Sequence, residues 1–429
     1  MKKNKKNLLT WRRLDNSAKI FPLSASKKYS TVFRLSVLLN ENIKPEILEK
    51  AVIETLEKYT SFKVKMRKGF FWHYLEENNK LPVIQEENDH PCKYIDLNLN
   101  NGYLFKVTYF KNKINIDIFH ALTDGNSGTI FFREIVYTYL EICYPEELTV
   151  EKRSVRKIEY DTEDSYLKNY DKKSKPNGND KRAYKLKGKK IKGGAVSVIH
   201  QIINLEELKS ESKKYNATIT QYLTAVLMYS IYNENYNISK SKKPIKICIP
   251  VNLKKYFSSK TISNFFSYIT ISGEMKNKEL DSFDKMLAFV KQEFEVQLTE
   301  KEIMKTMSAN VKLGNHPFIK SIPLFLKIFF VKLAYIEIRK HFSITFSNIG
   351  RIGIIGNYQK YIDYFLVLIA PEKFEKIKCS SCTFENKMVF TFTSILNDNR
   401  IEKSFYNFLK EKRIEVKIES NGVLNDISK

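Results

Sequence analysis

The chain has 429 residues, 43% of them hydrophobic and 13% aromatic. That is enough apolar side chain for two domains of about 200 residues each, and it excludes global disorder. Five cysteines are too few for a disulfide framework. The formal charge of +25 admits a polyanionic partner. Lys, Asn, Ile and Tyr are abundant throughout, however, so most of the excess reads as composition, and no zinc-finger, RNA-binding or helix-turn-helix signature points to nucleic acid. The first residues are basic, but Thr10, Arg12 and Arg13 follow with no apolar run, so no signal segment is read and a cytoplasmic location is expected.

Residues 1–150 are read as a first, N-terminal half of alternating strands and helices. Phe33, Leu35, Val37 and Leu39 alternate as one strand. Pro45 opens a helix whose buried stripe is Leu48, Ala51, Val52, Leu56 and Tyr59. Phe62, Val64 and Met66 alternate, Lys68-Gly69 turns, and Phe70, Trp72 and Tyr74 return as a hairpin. A second hairpin runs from Tyr103-Leu104 through Lys111-Asn112 to His120.

That second hairpin ends in His120-Ala121-Leu122-Thr123-Asp124-Gly125. Ile114, Ile116, Ile118 and His120 share one face of the incoming strand, so an imidazole ends its buried side. After Gly125, Asn126 or Ser127 can cap a helix carrying Phe131, Phe132, Ile135, Val136, Tyr139 and Leu140. An imidazole there can act as a general base, because its ordinary pKa lies near working pH. The carboxylate can hold the loop by pairing with a basic residue. The glycine lets the backbone bend or another group come close. A lone histidine at a strand end would read as a core residue; the strand–loop–helix setting with Asp-Gly at fixed offset favours the chemical reading.

Residues 151–194 hold 15 basic and 7 acidic residues, include Lys-Pro-Asn-Gly at 175–178 and end in Gly193-Gly194. They read as a basic, solvated crossover linker. Residues 195–429 form the second, C-terminal half. It begins with a strand at 195–203 and continues with a helix after Thr218-Ile219-Thr220, an apolar strand at 245–251 and a helix at 281–298. The segment 317–338 is very apolar but is cut by Lys320, Pro323, Lys327 and Lys332. It is too interrupted to span a membrane and reads as a core helix or lid, with an amphipathic membrane contact as the alternative. Cys379-Ser-Ser-Cys382 could be a redox pair or half a zinc site, but a strand would place the two thiols on opposite faces, and no second pair completes a metal site.

The hexapeptide at His120 resembles the H-x-x-x-D-G motif of the coenzyme-A-dependent acyltransferase superfamily, which includes chloramphenicol acetyltransferase, condensation domains and alcohol acetyltransferases. Three further segments match in order: Asn216 to Leu227; Ile249-Pro250-Val251-Asn252-Leu253-Lys254 followed by Ser263-Asn264-Phe265-Phe266; and Ser347-Asn348-Ile349-Gly350. The last is similar to the S-N-x-G segment of bacterial alcohol-acetyltransferase-like proteins. The resemblance implies an α/β fold of two chloramphenicol-acetyltransferase-like sandwich halves, each on a mainly antiparallel sheet, with a tunnel between them.

By the same resemblance, His120 is the catalytic base, and Asp124 is structural and held by an arginine, with Arg12, Arg13, Arg133 and Arg351 as candidates. Gly125 keeps the tunnel open, and Ser347 or Asn348 lines it or steadies the oxyanion. The implied activity is O-acyl transfer, of an acetyl group in the first instance, from acyl-CoA as co-substrate to an alcohol or other hydroxyl acceptor; the implied partners are acyl-CoA and a small hydroxyl or amine compound. No metal or bound cofactor is implied. The alternatives are a condensation-type amide former using carrier-protein thioesters and an inactive acyl-binding relative. Phe119 stands where many members have a first histidine, and Lys254 where they have an arginine.

Overall fold

The computed structural model describes residues 11–148, 161–174, 181–235, 240–275 and 280–424. Residues 151–160 and 175–180 of the basic crossover lie outside the described residues. The chain opens with β1 (Trp11–Arg13) and the short α1 (Phe21–Ser24), followed by β2 (Val32–Leu39). Pro45 supplies the first turn of α2 (Pro45–Lys58), and Leu48, Ala51, Val52 and Leu56 form its buried stripe as the spacing predicts. The expected hairpin is β3 (Val64–Lys68) and β4 (His73–Glu77), closed by a bond from Gly69 N to Trp72 O of 3.0 Å. After β5 (Ile84–Glu86) come β6 (Phe105–Phe110) and β7 (Lys113–Phe119), then α3 (Gly125–Cys143) and α4 (Pro145–Leu148).

The remainder begins with α5 (Ser165–Asn169), β8 (Ser197–Asn204), α6 (Leu205–Lys214) and α7 (Ile219–Asn233). A capping box between Thr218 and Gln221 starts α7. Next are β9 (Ile245–Asn252), β10 (Phe266–Gly273), α8 (Phe283–Gln297), α9 (Glu300–Asn315), α10 (Pro317–Ser321) and α11 (Leu324–Arg339). The chain ends through β11 (Ile344–Arg351), β12 (Ile362–Ile369), β13 (Ile377–Phe384), β14 (Lys387–Ser394), α12 (Arg400–Glu411) and β15 (Val416–Ser420).

A five-stranded sheet, ordered β12-β2-β7-β6-β5, serves the first core, and a seven-stranded sheet, β10-β9-β11-β13-β14-β8-β15, serves the second. Strands β1, β4 and β3 make a third, small sheet. The two large sheets are mixed but mainly antiparallel; the parallel pairs are β5 with β6 and β11 with both β9 and β13. The fold is therefore the α/β arrangement that the sequence implies. The sheets do not follow a boundary at 194, because β12, late in the chain, pairs antiparallel with β2 at the edge of the first sheet. Cys382 Sγ and Ser380 Oγ on β13 donate to the Phe365 and Val367 carbonyls of β12, so one strand ties the two sheets together.

The two faces of β7 do different work. Ile114, Ile116 and Ile118 are fully buried in the first core. On the opposite face Asp117 accepts two bonds from the Arg34 guanidinium, at 2.9 and 2.6 Å, and Arg34 also pairs with Glu87. Asn115 accepts from Ser36 at 2.7 Å beside them. The buried charges are thus paired and hydrogen-bonded, which burial demands.

Cys379 lies in the second core and Cys382 in the first, so the C-x-x-C pair points to opposite faces of β13. Burial pushes both thiols well above the ordinary cysteine range. The expectation that 317–338 forms a core helix is overturned. Only Leu324, Lys327 and Tyr335 of α11 are buried, while Phe325, Phe329 and Phe330 lie open to solvent. Among the described residues no helix is long and apolar enough to cross a membrane.

Candidate active site

His120 follows directly on β7 and is half-buried. Its ring stacks on Phe21 of α1, with centroids 4.6 Å apart, and meets Phe33 and Phe266 at 5.2 Å each. Phe21 and Phe33 come from the start of the chain and Phe266 from its second half. They withdraw the ring from water, and this burial holds the imidazole below its ordinary pKa. At neutral pH the ring is therefore uncharged, the form a general base requires.

One ring nitrogen has a defined partner: His120 Nδ1 lies 2.9 Å from Asn264 Oδ1. The amide's orientation follows from its other bonds. Asn264 Nδ2 donates to Asp15 Oδ2 and to the His120 carbonyl, each at 3.1 Å. Asn264 Oδ1 must then accept, so His120 Nδ1 carries the proton and Nε2 keeps its lone pair. Asp15 also accepts from the backbone N–H groups of Ala18 and Asn264. Burial pushes its carboxyl up to about 6 despite those bonds. The result is a line of groups from Asp15 through Asn264 to His120.

The segment carrying Asn264 closes onto the whole hexapeptide. Thr123 Oγ1 donates to the Ile262 carbonyl at 2.6 Å. Phe265 N donates to Asp124 Oδ2 at 2.9 Å, while Ser127 N donates to Asp124 Oδ1 at 2.8 Å. Asp124 is thus the N-cap of α3, earlier in the chain than Asn126 or Ser127, and it also clamps the second half onto the first. Among the described residues no arginine pairs with it. Arg12 binds Ser263 Oγ and the Ser61 carbonyl, and Arg351 pairs with Glu385. The expected arginine partner is corrected: two backbone N–H groups fill that place. Asp124→Ala should lower stability by about 1–2 kcal/mol, the usual cost of a lost cap. A denaturant midpoint reads this directly, and an unmoved midpoint would show that the clamp is idle.

Gly125 has ordinary backbone angles, so space rather than conformation explains it. A Cβ there would come 2.7 Å from Ile349 Cδ1 on β11. That contact brings the Ser347-Asn348 segment towards the hexapeptide. Asn348 is already engaged, its Nδ2 donating to Thr220 Oγ1 at 3.0 Å and its Oδ1 accepting from Gly350 N at 2.9 Å. Lys254 Nζ donates to Ser127 Oγ at 2.8 Å, at the start of α3. In the crossover, Lys185 Nζ donates to the Arg339 and Phe342 carbonyls.

His120, Asp124 and Gly125 lie together where β7 runs into α3, with Asp124 as N-cap and Gly125 as the first helical residue. Asn264 stands in the Ser263-Asn264-Phe265 segment that carries the family resemblance, but its bond to His120 has no local sequence signal, and Asp15 belongs to no motif.

Residues 165–312, which include Asn264 and Lys254, match the alcohol acetyltransferase family model. No curated protein matches the chain by sequence. By structure it is similar to a trichothecene 15-O-acetyltransferase from Fusarium sporotrichioides, with 10% identity and a TM-score of 0.60 over 94% of each chain. A second Fusarium sporotrichioides protein, TRI101, solved with coenzyme A and T-2, is 10% identical with a TM-score of 0.59, covering 95% of this chain and 99% of that one. The condensation domain from Monacolin K polyketide synthase is 10% identical with a TM-score of 0.54, covering 94% and 96%. At such identities the likeness is one of fold. Fold and family match together uphold the acyltransferase resemblance read from the sequence.

Proposed function

We propose that this acyltransferase-type chain is an acyl-CoA-dependent O-acyltransferase with His120 as its general base and an alcohol or other hydroxyl compound as acceptor. The observation that carries the reading is the Asn264 bond to His120 Nδ1, which leaves Nε2 as an unprotonated, desolvated base where the two halves meet. The alcohol acetyltransferase match over 165–312 and the coenzyme A bound in a similar fold support it.

In the proposed reaction the acceptor hydroxyl gives its proton to His120 Nε2 as its oxygen attacks the thioester carbonyl. The tetrahedral oxyanion collapses, the C–S bond breaks, and the departing thiolate takes the proton back from the imidazolium. Free coenzyme A and an ester leave, and no acyl-enzyme forms. Holding both substrates beside one base supplies much of the rate through proximity. Of the two oxyanion candidates, Ser347 is the better donor, because both ends of the Asn348 amide already bind protein groups.

The test is to incubate the protein with acetyl-CoA and longer acyl-CoA against pooled alcohols and amines, following free thiol and product mass. Thiol release that requires a hydroxyl acceptor supports the proposal. Turnover confined to carrier-protein thioesters and amines would replace it with amide formation, and no turnover with any thioester would leave an acyl-binding relative.

A further inference from the structure

The helix α11 is amphipathic the wrong way round. Its inward face is held by polar groups. Lys327 Nζ donates to the Phe71 carbonyl at 3.0 Å and sits 3.6 Å from the centre of the Trp72 ring. At the other end Arg339 pairs with Glu375, and the Tyr335 hydroxyl donates to Glu372. Leu324 N donates to the Phe70 carbonyl at the helix start. So the helix is firmly seated.

Its outward face is apolar. Phe325, Leu326, Phe329, Phe330 and Leu333 recur at helical spacing and are 45–70% exposed. Phe70, at the hairpin turn beside the helix start, extends the patch and is 70% exposed. Apolar surface gathered this way on a soluble face marks a docking site.

Charge selects the occupant. From 317 to 340 the chain has five basic residues and one acidic residue, Glu337, and Lys320 and Lys332 border the patch. The whole chain has a charge of +25, so a second copy would bring like charge to the same contact. A phenylalanine- and leucine-rich face edged by lysines fits the boundary between the headgroups and acyl chains of an anionic bilayer. We propose that α11 docks this protein on anionic lipid membranes, lying in the plane of the surface with its phenylalanines inserted. The helix packs on α1, whose Phe21 stacks on His120. If the acyltransferase reading holds, docking sets the base close to the phase where a lipophilic acceptor would dissolve; the docking itself does not rest on that reading.

The full chain is sedimented with vesicles of phosphatidylcholine alone and of phosphatidylcholine with phosphatidylglycerol. It should pellet with the second and largely stay in solution with the first. Phe325→Ser with Phe329→Ser and Phe330→Ser should reduce the pelleted fraction about tenfold, with an unchanged circular dichroism melt and unchanged turnover of a water-soluble acceptor. If that variant does not fold, Lys320→Glu with Lys332→Glu, which leaves the apolar face intact, should weaken pelleting and its loss should be mimicked by salt. Absence of pelleting with anionic vesicles, or pelleting that survives both variants, overturns the proposal. A doubled mass in solution that the triple variant abolishes would make the face a contact between two copies, and also overturns it.

Discussion

His120→Ala is expected to lower turnover by at least about a hundredfold, in line with the worth of a positioned general base. The fold should survive, because the ring's neighbours Phe21, Phe33 and Phe266 can close around a smaller side chain, as circular dichroism would verify. The wild-type pH profile gives a second check. Burial lowers the imidazole pKa, so the base form persists through neutral pH and the rate falls only on the acid side. The stability effect has the same direction. An unfolded histidine binds a proton near pH 6.5 that the folded ring resists, so the folded state gains nothing from this site below that range, and stability declines as pH falls through it. A folded alanine variant with near-wild-type rate would remove His120 from the chemistry.

How far the sequence reveals this site depends on how local each contact is. Alternation along 113–120 is visible because Ile114, Ile116 and Ile118 bury one face of β7. The α7 start is visible because Thr218 and Gln221 lie three residues apart and form a capping box. Asn264 lies 144 positions from His120, and Asp15 lies 249 from Asn264. No periodicity links residues at such separations; only the closing of one half on the other brings them together. The arginine expected for Asp124 failed for a related reason. A carboxylate can be satisfied by backbone N–H groups, which carry no side-chain signature, and Phe265 and Ser127 supply them. The helix α11 misled because apolar content is ordinarily read as burial. Here a lysine and an arginine face inward, paired with an aromatic ring and with carboxylates, and the phenylalanines are left outside. The strand β12 could not be assigned to the first sheet because its partner β2 lies more than three hundred residues earlier.

Asn264→Ala should lower turnover by about ten- to a hundredfold, less than the loss of the base itself, because the ring remains but its tautomer is no longer fixed. The contribution is positional, so its signature is the pH profile. In the intact chain Asp15, pushed up to about 6 by burial, gains its proton as pH falls below that point. Protonation weakens its hold on Asn264 Nδ2, and the amide's grip on His120 loosens. The acid limb of kcat should therefore begin near pH 6. Without Asn264, Asp15 is uncoupled from the ring, and the imidazolium also loses a hydrogen-bond partner that favours it. Both changes move the acid limb to lower pH. A packing defect alone would depress the rate at every pH and leave the limb in place. An Asn264→Ala variant with a lowered melting temperature, a reduced rate and an unshifted acid limb would reduce Asn264 to a structural clamp, and His120 would need another source for its tautomer.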